Sequence, residues 1–200
     1  MALKEDAFRA LFAPFGEEVG VGAVAINREM GAVSRVLKID RIHRELLDNK
    51  LPPDELADWA ARFEALVEAA VVGCDEVPGA AALLDGLAGR VRMFVISGTP
   101  EDEMRRIVEA RGWSRFFVSV HGSPRLKPEI VSGLLAEHGL APDECLFVGD
   151  TFTDRDAALA NGVPFVGRRP VVRENPFPAG TLMVDDMTGL GRLMDIGGRP

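Results

Sequence analysis

Cysteine is scarce in this chain: the two present among 200 residues, Cys74 and Cys145, are far apart in sequence. With no Cys-x-x-Cys, no third Cys and no nearby His, a thiolate metal centre and a disulfide framework are both excluded. Two reduced thiols are expected, with Cys145 facing the core. Histidine is equally sparse, and His43, His121 and His138 are scattered without ligand spacing, so they read as ordinary surface or core residues. No apolar run approaches the ~20 residues needed to cross a bilayer. The opening Met1-Ala2-Leu3-Lys4-Glu5-Asp6 lacks the apolar stretch of a signal peptide, so a cytoplasmic location is expected. Positive charge is in deficit: 23 Lys and Arg against 31 Asp and Glu give a net charge of -8, and the pI is near 5. That balance argues against a general nucleic-acid binder or a binder of anionic membranes, whose surfaces are themselves negative. No internal repeat or low-complexity segment occurs.

What is present suffices for a sizeable core. At 47% hydrophobic residues, 200 residues fit one large domain, or a core with a small accessory domain. The hydrophobic rhythm changes near residue 76. Before it the pattern is helical: Ala7, Leu11 and Phe12, then Leu37, Ile39, Ile42 and Leu46, then Leu56, Trp59, Phe63 and Leu66 recur at helical spacing. Pro52-Pro53-Asp54 opens the last of these helices. A small α-helical bundle is therefore expected over residues 1–75. From Val77-Pro78-Gly79 onward helices and strands alternate. Strands are read at Val91 to Ile96, Phe116 to Val120, Cys145 to Val148, Pro164 to Val166 and Thr181 to Val184, with helices between them. This order predicts an α/β core with a parallel, Rossmann-like sheet over residues 76–200.

Three strand ends carry polar residues. Phe147-Val148-Gly149 runs into Asp150-Thr151-Phe152-Thr153-Asp154, two carboxylates four residues apart at the carboxyl end of a strand, where open α/β sheets bind ligands. The pair suits a hard cation such as magnesium, or else both acids cap the helix that follows. After Phe94-Val95-Ile96 come Ser97, Gly98 and Thr99-Pro100. A hydroxyl at a strand tip beside a helix start offers a seat for phosphate. Lys127 precedes Pro128 at another helix start, from which an ammonium can reach the same anion. Asp185 and Asp186 follow the last strand and are expected to cap the Met187 helix, while Arg168, Arg169 and Arg173 read as a solvated basic loop.

In this order on successive units, Val95-Ile96-Ser97-Gly98-Thr99, Lys127-Pro128 and Phe147 through Asp154 resemble the second, third and fourth motifs of the haloacid dehalogenase superfamily. The resemblance is to its phosphatases of the phosphoglycolate phosphatase and β-phosphoglucomutase kind. It implies that Ser97, Gly98 and Lys127 bind a phosphoryl group and that Asp150 and Asp154 serve a Mg2+ site, Asp154 by supporting the metal or orienting Lys127. It implies a small phosphorylated metabolite as substrate, with neither nucleic acid nor membrane as partner. Residues 1–75 resemble the family's cap, and Gly31 through Lys38 are similar to a cap segment that faces substrate in some relatives, which makes Arg35 and Lys38 candidate substrate contacts.

The family's first motif, an Asp-x-Asp at the end of the first and central strand, has no counterpart here. It supplies the nucleophile, the general acid/base and a metal ligand. The 200-residue chain is therefore expected to be inactive or severely impaired, with weakened magnesium affinity. One reading is a phosphatase truncated before its first strand; others are a non-catalytic relative that binds a phosphometabolite or a partner, and a domain with a vestigial site. In relatives the absent strand separates those that here run Val91 to Ile96 and Cys145 to Val148. These two are accordingly expected to pair directly, or to be bridged by another segment or a second chain, a homodimer included, because unpaired backbone is costly.

Overall fold

The computed structural model describes residues 2–31, 33–169 and 175–194. The chain divides into two compact units, Met1–Cys74 and Asp75–Pro200.

The first unit is all helical: α1 (Ala2–Phe12), α2 (Glu17–Met30), α3 (Arg35–Leu46) and α4 (Pro53–Gly73). Each helix begins where local chemistry favours it. Gly16, at φ +106, turns the chain out of a short 3-10 segment into α2. The Ser34 hydroxyl caps Leu37 of α3, and Pro53 fills the first position of α4, where a missing N–H costs nothing. The helices bury one continuous core of Ala7, Phe8, Leu11, Phe12, Ala23, Ile26, Ile39, Ile42, Phe63 and Val67. Trp59 stacks on Phe12 with ring centres 5.4 Å apart. Leu37 departs from the helical reading: it is 55% exposed, because Ile39 and Ile42 take the inward face of α3.

The second unit alternates as expected: α5 (Ala80–Leu87), β1 (Met93–Pro100), α6 (Glu101–Ala110), β2 (Phe117–Ser123), α7 (Lys127–His138), β3 (Phe147–Gly149), α8 (Phe152–Ala160), β4 (Phe165–Arg168), β5 (Met183–Val184) and α9 (Met187–Leu193). Every strand pairing is parallel. The strands nevertheless form two sheets, β1–β2 and β3–β4–β5. Direct pairing of β1 with β3 is therefore not found, and among the described residues no strand joins them. The physical signature is burial: Met93 to Ser97 of β1 and Phe147 to Gly149 of β3 are all half-buried, although apolar strands at the centre of a covered parallel sheet are normally enclosed on both faces.

Helices hold the two sheets in one unit. Val131 of α7, Ala157 and Ala158 of α8 and Val163 form a buried cluster, against which Ile96 of β1, Phe147 of β3, Phe165 of β4 and Cys145 all pack. The Asn161 side-chain amide donates to the Pro128 carbonyl at 3.1 Å, tying the end of α8 to the start of α7. Asp186 caps α9 through the Gly189 N–H at 2.8 Å, and Arg169 pairs with Asp185. Arg173, the third member of the expected basic cluster, lies outside the described residues.

Candidate functional site

The β3 strand ends at Gly149, and the next five residues build a rigid corner. Thr151 stands at the N-cap of α8, and Asp154, one turn in, reaches back to it. Asp154 Oδ2 accepts from the Thr151 N–H at 3.0 Å and from Thr151 Oγ1 at 2.6 Å. This is the acid's half of the capping arrangement encoded by Thr-x-x-acid at a helix start. Gly149 makes it possible, because a Cβ there would sit 2.6 Å from Asp154 Cγ. The strand can therefore end in a carboxylate pair only if its last residue has no side chain.

Into this corner comes the cation expected from sequence. Lys127, the first residue of α7, donates through Nζ to Asp154 Oδ1 at 2.6 Å and to Thr153 Oγ1 at 3.4 Å. The pair is largely enclosed, with side chains 17% and 8% exposed. A partly dehydrated ion pair of this kind positions its members strongly, and removing one partner strands the other charge. Thr151 and Thr153 were not singled out from sequence, although Thr151-Phe152-Thr153-Asp154 carries the capping signal that could have found them.

Ser97 and Gly98 lie inside β1, which runs on to Pro100, beyond the expected strand end. The Ser97 hydroxyl accepts from the Thr99 N–H at 3.1 Å, which turns its oxygen toward the local backbone and leaves its hydrogen to donate. Gly98 is exposed and its missing Cβ would meet nothing within 4 Å, so the backbone there is open to a ligand's close approach. No side-chain cap forms on α6.

For magnesium, the donor set is partial. Asp150 is a half-buried carboxylate at the end of β3, and Mg2+ is commonly held by one or two carboxylates, with waters and phosphate oxygens completing the shell. Both Asp154 oxygens already accept from Lys127 and Thr151, which fits the positioning half of its expected role. Among the described residues no group of three acidic, His or Cys side chains could hold a metal. The residues present fit magnesium as part of a shell that phosphate would complete.

Arg35 and Lys38 both have partners within the helical unit. Arg35 pairs with Glu64 of α4 at 3.2 Å. Lys38, a candidate substrate contact, is buried: Nζ donates to Asn27 Oδ1 at 2.8 Å and to the Gly31 carbonyl at 2.7 Å. Burial holds its pKa below the usual lysine value, and the Lys4 charge adds to that. It thus satisfies the carbonyl end of α2, where a cation also suits the helix dipole.

Ser97, Lys127 and Asp150 through Asp154 all lie within a stretch of the chain that has a counterpart in known proteins. Residues 3–162 match the family model of the haloacid dehalogenase-like hydrolases. The chain belongs to this family. This haloacid dehalogenase-like chain is 35% identical over 129 residues to a phosphoglycolate phosphatase of Rhodospirillum rubrum, a match covering 60% of the chain and 54% of that relative. The chain thus spans about half the length of the curated relative it matches. Among solved structures it shares the fold of a protein of Thermotoga maritima assigned as a β-phosphoglucomutase, at TM-score 0.74 and 17% identity, covering 97% of this chain and 92% of that one. A haloacid dehalogenase-type hydrolase of Bacillus subtilis, solved bound to magnesium, superposes at TM-score 0.70 and 14% identity, covering 97% and 92%. No described helix of this family member is long and apolar enough to cross a membrane.

Proposed function

We propose that the α/β unit is the phosphate-binding core of a magnesium-dependent phosphatase of small phosphomonoesters. The single observation that carries this reading is the Lys127–Asp154 pair held at the end of β3. An ammonium is fixed there by a carboxylate that Thr151 and Gly149 lock in place.

Phosphoryl transfer asks a protein chiefly for positioning and for charge placed where it develops. Ser97 donates its hydroxyl hydrogen, Gly98 offers open backbone and Lys127 supplies positive charge to the phosphoryl oxygens. Asp154 aims Lys127. Asp150 is the residue that would hold magnesium, whose charge would offset that of the phosphate. In-line attack needs a further carboxylate, which Ser97 and Lys127 cannot replace. The open edges of β1 and β3 are where a strand bearing it would insert, from a longer chain or from a second copy in a homodimer. Without that strand the 200 residues bind phosphate and do not turn over. The helical unit serves as the cap that sets substrate choice.

Calorimetric titration of the 200-residue chain with inorganic phosphate and Mg2+ tests the site. Measurable binding that falls about a hundredfold in Lys127→Ala, the scale of a lost charge-assisted contact, is expected. Equal affinity in the two proteins would sink the reading. Hydrolysis of an aryl phosphate, with and without an added apolar strand ending in Asp-x-Asp, separates a completable phosphatase from a pure binder. A binder gains no turnover on addition.

A further inference from the structure

Next to the Ser97 segment lies a second polar cluster, built from the start of α6 and from β2 with the residues that follow it. Glu101, the first residue of α6, accepts the Gly122 N–H at 3.3 Å and an Arg125 N–H at 3.2 Å on Oε2, and an Arg105 N–H at 2.7 Å on Oε1. His121 Nδ1 lies 2.7 Å from Arg125 Nη2, and its Nε2 lies 2.7 Å from Ser119 Oγ. A guanidinium only donates, so Nδ1 carries the lone pair and Nε2–H points to Ser119, which makes His121 neutral here. Gly122 fits because a Cβ would be 2.7 Å from Glu101 Cα: the two backbones are pressed together. Glu101 directly follows the Ser97-to-Pro100 segment, and Arg125 is two residues before Lys127.

We propose that Glu101 is a positioning residue: it clamps the end of β2 and the connection to α7 onto the end of β1 and so fixes where Lys127 stands relative to Ser97. The inference rests on the phosphate-binding reading of Ser97 and Lys127. A charged acceptor shared by a backbone amide and a guanidinium is a stronger tie than either neutral bond alone. Burial holds the His121 pKa below its usual value, with Arg125 and Arg105 acting the same way and Glu101 and Glu137 opposing. When His121 gains a proton, Nδ1 becomes a donor facing another donor, with Glu101 Oε2 3.8 Å away as its new partner. Acid therefore sets His121 and Arg125 in competition for the same carboxylate.

The test is the acetylation rate of the Lys127 amine relative to that of exposed Lys50, read by mass spectrometry on the ligand-free 200-residue chain, beside phosphate affinity. Glu101→Gln is expected to raise the Lys127 ratio several-fold and to weaken phosphate about tenfold. Arg105→Gln, which touches only the other oxygen, should change neither. Lowering the pH below about 6.5 should raise the ratio in the parent and leave it flat in His121→Gln. Unchanged Lys127 reactivity in a folded Glu101→Gln protein overturns the proposal. If that variant fails to fold, Arg125→Gln at an exposed position must reproduce the rise, or the proposal falls. A rise in reactivity without phosphate binding in the parent keeps the clamp and removes the phosphate reading.

Discussion

The two units of this chain solve the same burial problem with opposite success. The smaller helical unit closes one continuous core, with Phe8, Phe12, Ile39 and Ile42 essentially sealed from solvent. The larger α/β unit has its interior divided. One cluster centres on Val131, Ala157 and Ala158, another on Val166, Val184 and Leu190, and both sheets keep half-buried strands. A helix satisfies its backbone internally and needs only a partner for one face, whereas a strand needs neighbours on both edges. An unpaired strand edge therefore leaves backbone groups open in a way that a helix side does not.

The contrast breaks first at its strongest point. Phe12→Ala should cost the helical unit about 3–5 kcal/mol, the range for emptying a large aromatic site in a sealed core. Denaturant titration followed by fluorescence would show it, because Trp59 stacks on Phe12. A loss below about 1 kcal/mol would mean that this core is no better sealed than the other. Next, hydrogen exchange should find β1 and β3 amides opening at least about a hundredfold more readily than those in α1 and α4. Equal protection would erase the distinction between the units. Within the α/β unit, Gly149→Ala should destabilise by about 2 kcal/mol, since its Cβ would press on Asp154, and it should weaken phosphate binding in parallel.

The smallest effect concerns acid. His43 is buried among Phe12, Phe15 and Trp59 with both ring nitrogens unpaired. Burial lowers its pKa, against weaker opposition from Asp40 and Glu55. A depressed value means that the unfolded chain protonates first. Its contribution is intact above the ordinary histidine value of about 6.5 and is lost as pH falls toward the folded value. Thermal melts of the helical unit between about pH 7 and pH 5 should fall by an amount on the order of 1 kcal/mol in the parent and stay flatter in His43→Leu. A parallel fall in both proteins would assign the acid sensitivity elsewhere.

The alternation of helix and strand was legible because each rhythm is local. The strands read at Phe116 to Val120 and Pro164 to Val166 form over Phe117–Ser123 and Phe165–Arg168. The helix start at Lys127 and the turn after β3 carrying Asp150 through Asp154 were readable for the same reason, whereas β1 runs past Ser97 to Pro100. What failed was long-range. Phe8 completes the helical core by meeting Phe63 at 4.3 Å, a contact between helices with no local signal. Lys38 was a candidate substrate contact, and the approach of Asn27 and Gly31 from another helix ties its ammonium inside the unit. His121, set aside as ordinary, comes within 3.8 Å of the Glu101 carboxylate on α6. The split of the sheet was foreseen as a problem of unpaired backbone, but the sequence holds no residue that says which way it resolves.

The contact between Gly149 and Asp154 bears on mutational tolerance. A side chain at one position occupies the volume the other already fills, so the two sites cannot drift independently. In a library randomised at both, functional clones should retain glycine wherever the acid is retained. Clones that gain a side chain at 149 should appear only with a smaller residue at 154, which leaves Lys127 without its counter-charge.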